Sequence, residues 1–339
     1  MTALLEVEGL KTYFYTREGL YKAVDGLSFK IEKGEVLAIV GESGSGKSVS
    51  MMSLLGLIPK PPGKIVGGTA FYEGKDILQF AAPELRNLRG QDIAMIFQDP
   101  MTSLNPYLQI STQLTEVLFA HGSKVTNAEA RNIAIEALET VGIPDAEKRI
   151  DQYPHQFSGG MRQRVMIAMA LIGKPKLLIA DEPTTALDVT IQAQILKVLN
   201  DLRKEMQLSI ILITHDLGIV AGMADKIAVM YAGKAIETGT ADEIFYKPSH
   251  PYTIGLLGST PRLDQKEGHL QAIPGLPPDL SKLPPGCPFA PRCPKVMKEC
   301  REDRPLPLRT IRMMTKKIKG SEYRISNIRI IMSSVLPPT

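Results

Sequence analysis

The hydrophobic positions of this chain follow two periods. Short apolar runs rich in β-branched residues recur at 36–40, 93–97, 177–180, 210–213 and 227–231. They are apolar at nearly every position instead of every second one. That pattern predicts strands buried on both faces, as in a parallel sheet covered by helices. Between these runs the spacing turns helical. Ile195, Leu196, Val198, Leu199, Leu202 and Met206 line one stripe of a helix that starts after Asp188. Thr126-Asn127-Ala128-Glu129 reads as a capping box, and Gly142 with Pro144 reads as the stop of the helix it opens. From about 100 to 173 the patterns are helical with no convincing strand, which predicts a helical subdomain inserted into an α/β core.

Proline then marks a boundary. Residues 1–245 hold ten prolines and the remaining 94 hold fifteen. The stretch from Pro274 to Gly286 is too proline-rich for a helix or a central strand. A regular domain is therefore expected over 1–245, a loop-rich appendage over 246–305, and a separate tail over 306–339.

Composition narrows the class only a little. The chain has 339 residues, 44% hydrophobic and 22% charged, ordinary for a globular protein. No apolar run approaches the ~20 residues that cross a bilayer. The N-terminus shows no basic region and no cleavage site, so secretion is not expected. Three cysteines exclude a disulfide scaffold and fit a reducing compartment. The net charge of +4 is unevenly spread: residues 306–339 carry seven Lys/Arg and one Glu, leaving 1–305 at −2. The body lacks the basic excess of a nucleic-acid binder, and the tail reads as a solvated basic segment.

The candidate chemistry sits at strand ends. Gly41-Glu42-Ser43-Gly44-Ser45-Gly46-Lys47-Ser48 fits G-x-x-x-x-G-K-[ST] between an apolar strand and a helix reaching about Leu57. Glycines let backbone N–H groups turn toward phosphate oxygens, and the helix N-terminus adds positive potential. Lys47 is placed to reach β- and γ-phosphates, and Ser48 to put its hydroxyl on Mg²⁺. Val49 continues the helix start. Asp181 and Glu182 end the strand 177–180. Asp181 suits an Mg²⁺ site, and Glu182 suits polarising an attacking water. Gln98 follows the strand 93–97, and His215 follows the strand 210–213. Ser158-Gly159-Gly160 opens a helix running to Gly173, a second anion site or an ordinary N-cap. Asp188 caps the next helix.

Together these residues resemble the ATP-binding subunit of ABC transporters. The order matches: phosphate loop at 41–48, Q-loop at Gln98, signature at Ser158-Gly159-Gly160, acidic pair at Asp181-Glu182, D-loop at Ala186-Leu187-Asp188 and H-loop at His215. Phe157 and Met161 depart from the common ends of the signature. Tyr153-Pro154-His155-Gln156, Gln98-Asp99-Pro100-Met101 and His250-Pro251-Tyr252-Thr253 resemble the dipeptide/oligopeptide importer branch. The resemblance covers roughly 5–305. It implies a P-loop (RecA-like) α/β core with an inserted helical subdomain, an antiparallel β portion near the N-terminus and a Pro-rich C-terminal appendage. It also implies an ATPase that energises dipeptide or oligopeptide import, with ATP and Mg²⁺ at the site. In that family two cassettes stack head to tail, and the signature of one closes over the ATP of the other. An aromatic stacks on adenine there; the register places it at Phe14, with Tyr13 the near alternative. The implied partners are two transmembrane permease subunits, a second ATPase subunit (identical or a paralogue) and, indirectly, an extracellular or periplasmic peptide-binding protein. The implied location is the cytoplasmic face of the plasma membrane, peripheral. The rival readings are a soluble ABC ATPase acting on nucleic acid or translation, an importer ATPase for another solute such as nickel, and a degenerate regulatory nucleotide binder.

Cys287, Cys293 and Cys300 give C-x5-C-x6-C inside the appendage. Their clustering predicts a shared metal site, although the spacing does not suit a C-x2-C zinc knuckle. Some members of the resembled branch hold a 4Fe–4S cluster here on four Cys, which makes the three a candidate iron–sulfur set; zinc and free thiols stay open. Because the phosphate loop, acidic pair and signature all precede Tyr246, the ATPase core is expected to bind nucleotide without the appendage.

Overall fold

The computed structural model describes residues 3–99, 103–120, 122, 124–185, 187–259, 272–302 and 308–309. In chain order its strands are β1 (Leu5–Thr16), β2 (Gly19–Ile31), β3 (Val36–Val40), β4 (Gly63–Tyr72), β5 (Lys75–Asp76), β6 (Ile93–Ile96), β7 (Leu177–Asp181), β8 (Ser209–Thr214), β9 (Lys226–Tyr231), β10 (Lys234–Thr240) and β11 (Leu308–Arg309). The helices are α1 (Lys47–Leu54), α2 (Ala82–Gln91), α3 (Ile110–Ala120), α4 (Asn127–Thr140), α5 (Ala146–Arg149), α6 (Gly159–Leu171), α7 (Val189–Met206), α8 (Leu217–Ala221), α9 (Ala241–Tyr246), α10 (Pro251–Gly258) and α11 (Glu299–Glu302).

The five apolar runs form β3, β6, β7, β8 and β9, all within one sheet of order β11-β10-β9-β3-β8-β7-β6. From β9 to β6 every pairing is parallel, and β10 closes the other side antiparallel to β9. Continuous apolarity is explained by what covers each face. Leu178, Ala180, Ile210 and Leu212 face a cluster built with α3, α4, α6 and α7. Their neighbours Leu177, Ile179, Ile211 and Ile213 face a second cluster built with β1, β2, β4 and α1. The period-two alternation of a strand thus distributes the same apolar run between two cores.

A second sheet, β2-β1-β4-β5, is wholly antiparallel. It supplies the covering layer over α1. The region from 103 to 173 carries α3 to α6 and no strand among the described residues. Thr126 caps α4 as its sequence predicts: its hydroxyl accepts the Glu129 N–H at 3.3 Å, and Glu129 accepts the Thr126 N–H at 2.7 Å. Along the α7 stripe Ile195, Leu199 and Leu202 are buried, with Leu196, Val198 and Met206 partly so.

The Pro-rich appendage packs on the β9 side of the large sheet. Tyr231, Tyr252, Phe289 and Cys287 share a third cluster with Ala38, Val40 and Val229. The Tyr231 and Phe289 rings meet edge to face at 5.3 Å between centroids, as do Tyr252 and Phe289. Glu237 of β10, buried, accepts the backbone N–H groups of Ser249 at 2.7 Å and His250 at 3.0 Å, anchoring the chain where it enters the appendage.

Candidate nucleotide site

Four parallel strands deliver the predicted residues to one edge. The phosphate loop follows β3, His215 follows β8, Asp181 and Glu182 follow β7, and Gln98 lies just beyond β6. These strands are consecutive neighbours in the sheet, so their C-terminal ends form one rim, the usual ligand edge of an open α/β sheet.

The phosphate loop needs glycine at both ends. Gly46 caps α1 with φ +100°, and a Cβ there would meet the Ala23 carbonyl oxygen at 2.2 Å. A Cβ on Gly41 would meet the Met230 carbonyl oxygen at 2.2 Å. The loop therefore lies directly on two backbones with no room for a side chain. Lys47 is buried, and its ammonium donates to the carbonyls of Gly41 at 2.7 Å and Glu42 at 3.0 Å. Burial lowers its pKa, against the carboxylates of Glu182, Asp181 and Glu42. Ser48 donates to Asp181 Oδ1 at 2.9 Å. Burial raises the Asp181 pKa, which the Ser48 hydrogen bond opposes. Both groups thus lie buried where a partner of opposite charge would relieve them. Ser45 Oγ is buried with no hydrogen-bond partner among the described residues. A buried cation, an orphan hydroxyl and a Cβ-free cradle fit a phosphate anion, and the Ser48–Asp181 pair is oxygen chemistry suited to Mg²⁺.

Glu182 is held from four directions. Its backbone is left-handed, φ +46°, and its N–H donates to the Ile213 carbonyl at 2.9 Å. Oε2 accepts from Gln98 Nε2 at 3.0 Å and from Thr185 Oγ1 at 2.9 Å. His215 Nδ1 stands 3.4 Å from Oε1. The structure therefore joins Gln98, Asp181, Glu182, His215 and the Lys47-Ser48 pair.

Ser158, Gly159 and Gly160 stand elsewhere, at the exposed opening of α6. Ser158 accepts the Met161 N–H at 3.3 Å as its N-cap. A Cβ on Gly160 would meet Ile191 Cγ2 at 2.8 Å, so the α6 opening rests on the first turn of α7, which Asp188 caps by accepting the Ile191 N–H at 3.0 Å. Ala186 and 100–102 lie outside the described residues. Phe14 is half-buried on β1, opposite Tyr21 of β2 and Gly63 of β4. Tyr13 is engaged otherwise: its hydroxyl donates to Asp25 Oδ1 at 2.7 Å. Val49 packs against the α1 side core.

Sequence reading missed several partners. Thr185 lies three residues past Glu182, close enough for a local hydroxyl contact to have been expected. Tyr21 and Arg292 carry no local signal, and Tyr252 stood in the His250–Thr253 motif with no role beside the loop. A depression of about 280 Å³ beside the loop is lined by Tyr21, Glu42, Ser43, Gly44 and Ser45, with Pro277, Pro278, Asp279 and Leu280 of the appendage on its other side. Glu42 faces that appendage: its N–H donates to the Tyr252 hydroxyl at 2.9 Å, and Arg292 grips its carboxylate.

The iron–sulfur expectation is overturned. Among the described residues no group of three or more His, Cys, Asp or Glu is arranged to hold a metal ion, and only three cysteines exist to supply a cage. Cys287 is buried, and burial pushes its thiol up, away from the thiolate a metal needs. Cys293 and Cys300 pack against the same aromatic cluster. The three act there as small hydrophobic side chains.

The family described as ABC transporter matches residues 24–185. The family described as the C-terminal region of oligopeptide/dipeptide transporters matches residues 236–300. The oligopeptide transport ATP-binding protein OppD of Bacillus subtilis is 58% identical over 306 residues, 90% of this chain and 85% of that protein. The dipeptide transport ATP-binding protein DppD of the same organism is 55% identical over 312 residues, 92% of each chain. Among solved structures, the dimeric ATP-binding cassette MJ0796 bound to ADP and Pi superposes with a TM-score of 0.63 at 26% identity, over 70% of this chain and 98% of that one.

Proposed function

This chain belongs to the ATP-binding proteins of oligopeptide and dipeptide transporters, and from that premise we propose how its rim residues divide the work of ATP hydrolysis. The chain is an ATPase whose turnover energises peptide import through membrane permeases. It acts as a peripheral subunit, and no helix among the described residues is long and apolar enough to cross a membrane. The observation that carries the assignment is the convergence on one sheet edge of Lys47, Ser48, Asp181, Glu182, Gln98 and His215.

Lys47 holds the β- and γ-phosphates once they displace its ammonium from the Gly41 and Glu42 carbonyls. The N–H groups of the phosphate loop and the start of α1 surround the same oxygens. Ser48, Asp181 and Gln98 would hold Mg²⁺, which would supply positive charge against the phosphate oxygens. Glu182 orients and deprotonates the attacking water. Gln98, Thr185 and His215 fix its carboxylate, so little reorganisation is left at the moment of reaction. His215 also reaches toward the γ-phosphate. Phe14 stacks on the adenine, on the strand beside Tyr21. Ser158, Gly159, Gly160 and Asp188 serve the ATP held by a second ATPase subunit. This division is supported by a chain that holds one phosphate loop and one signature, the latter exposed at the opening of α6. The partners are two permease subunits, a second ATPase subunit that is self or a paralogue, and a peptide-binding protein acting from outside. The working location is the cytoplasmic face of the membrane. Residues 1–245 form the nucleotide-binding domain, with its helical part over about 100–173, and 246–305 the appendage.

The test is reconstitution with the permease subunits in vesicles, following ATP hydrolysis and uptake of labelled dipeptides and oligopeptides. Peptide-stimulated hydrolysis with uptake, both abolished by Lys47→Ala, is expected. Uptake of nickel without peptide would reject the cargo.

A further inference from the structure

Arg292 of the appendage is joined to the phosphate loop by an unusually complete set of contacts. Its Nη1 and Nη2 donate to the two carboxylate oxygens of Glu42 at 2.6 and 2.9 Å. Its Nε donates to the Pro274 carbonyl at 2.8 Å. The guanidinium lies 5.9 Å from the ring centroids of both Tyr231 and Phe289, and its side chain is only 7% exposed. Glu42 is tied three ways: its carboxylate to Arg292, its N–H to the Tyr252 hydroxyl at 2.9 Å, and its carbonyl to the Lys47 ammonium at 3.0 Å. One residue of the phosphate loop thus connects the appendage to the cation that reads phosphate.

An ion pair whose guanidinium is buried is a poor device for stability alone. Removing two charges from water costs about as much as their attraction returns, and an apolar pair of similar volume often does as well. What the bidentate fork does supply is geometry, since it fixes both the direction and the plane of the carboxylate. Here that carboxylate belongs to the second residue of the phosphate loop. The Pro277–Leu280 segment, which ends near the same place, lines one side of the adjoining depression.

We propose that Arg292 is a positioning residue for nucleotide binding: through Glu42 it sets the phosphate loop, and the docked appendage and ATP are thereby coupled. The proposal rests on reading the rim as the ATP site. Coupling is reciprocal, so nucleotide must also tighten the appendage.

The test uses the full chain. ATP dissociation constants and kcat are measured for wild type, Arg292→Met, Glu42→Gln and the double variant, with Arg292→Lys as the charge-preserving comparison. Arg292→Met and Glu42→Gln are each expected to weaken ATP binding about tenfold, with a smaller change in kcat. The double variant should be no worse than the weaker single one, because both remove one contact. Arg292→Lys should fall between, having the charge without the fork. Hydrogen exchange over 287–300 should slow when ATP binds wild type, and this slowing should vanish in Arg292→Met. Additive losses in the double variant, unchanged ATP affinity in the singles, or exchange over 287–300 indifferent to ATP would each overturn the coupling. If Arg292→Met does not fold, Arg292→Lys and Glu42→Gln decide by the same affinities. A wild-type chain that binds no ATP would instead reject the reading of the rim itself.

Discussion

Glu182 sits at φ +46°, a left-handed conformation that costs a non-glycine residue on the order of 1 kcal/mol. The turn is held because its N–H is taken by Ile213 and its carboxylate by Gln98 and Thr185. Strain stored this way aims one carboxylate at one place. Glu182→Gln keeps the shape and removes the base, so turnover should fall ~10²–10⁴-fold with ATP binding retained. Phosphate release against nucleotide binding measures both; wild-type turnover would remove Glu182 from the role. A second residue gives a pH signature. His250 caps α10 by accepting the Tyr252 N–H on Nδ1 at 3.1 Å, which requires the unprotonated ring. Burial lowers its pKa to about 4 from 6.5. The unfolded chain therefore takes up the proton first. Stability is full above about pH 6.5, falls as pH drops toward 4, and loses nothing further from this group below that. A loss on the order of 1–2 kcal/mol by pH 5 is expected. Denaturant melts from pH 7 to 5 should show it, and His250→Asn, which caps without titrating, should show less of it.

At the scale of elements, the two helix openings proposed to meet ATP differ in how they are built. The α1 opening is pressed onto the Ala23 and Met230 backbones and uses glycine for closeness. The α6 opening rests on Ile191 of α7 and leaves Ser158 exposed. Ser158 caps α6 through the Met161 N–H and still stays exposed, which suits a partner's ligand. Ser158→Arg should leave ATP binding by the isolated monomer within about twofold, since the change is at an exposed position. It should abolish ATP-dependent dimerisation and peptide-coupled hydrolysis. Light scattering with and without ATP, in a Glu182→Gln background, checks the first, and phosphate release with Glu182 intact checks the second. Loss of monomer binding would contradict a site shared between two chains.

For the whole molecule, the appendage is no passive extension. The expectation of a core independent of residues beyond Tyr246 meets a structure in which Tyr252, Phe289 and Arg292 close an aromatic cluster against Tyr231 and hold Glu42. Truncation after Tyr246 uncovers Tyr231 and leaves the Glu42 carboxylate without Arg292. Burial of Tyr252 and Phe289 alone is worth about 1.5–3 kcal/mol each. A truncated chain is therefore expected to be destabilised by on the order of 3–6 kcal/mol and to bind ATP more weakly. Thermal melts and nucleotide titration test this, and a truncated chain that binds ATP as wild type does would show a core that needs no appendage for nucleotide.

The parallel strands, the phosphate loop, the acidic pair and the helix caps were legible in the sequence. Each rests on local chemistry: continuous apolarity, glycine spacing, or a cap three residues from its partner. The antiparallel sheet β2-β1-β4-β5 left a weaker trace, because its strands alternate and carry register shifts along β1. The cysteines misled because spacing records proximity along the chain, while metal binding depends on where thiols point and how buried they are. The grip of Arg292 on Glu42 spans 250 positions, and no local pattern encodes it. It exists because β9 borders β3 in the sheet, so an appendage packed beside β9 also reaches the loop that leaves β3. Which local motifs exist is a property of neighbouring residues; which of them touch is set by the order of strands and by what packs across them.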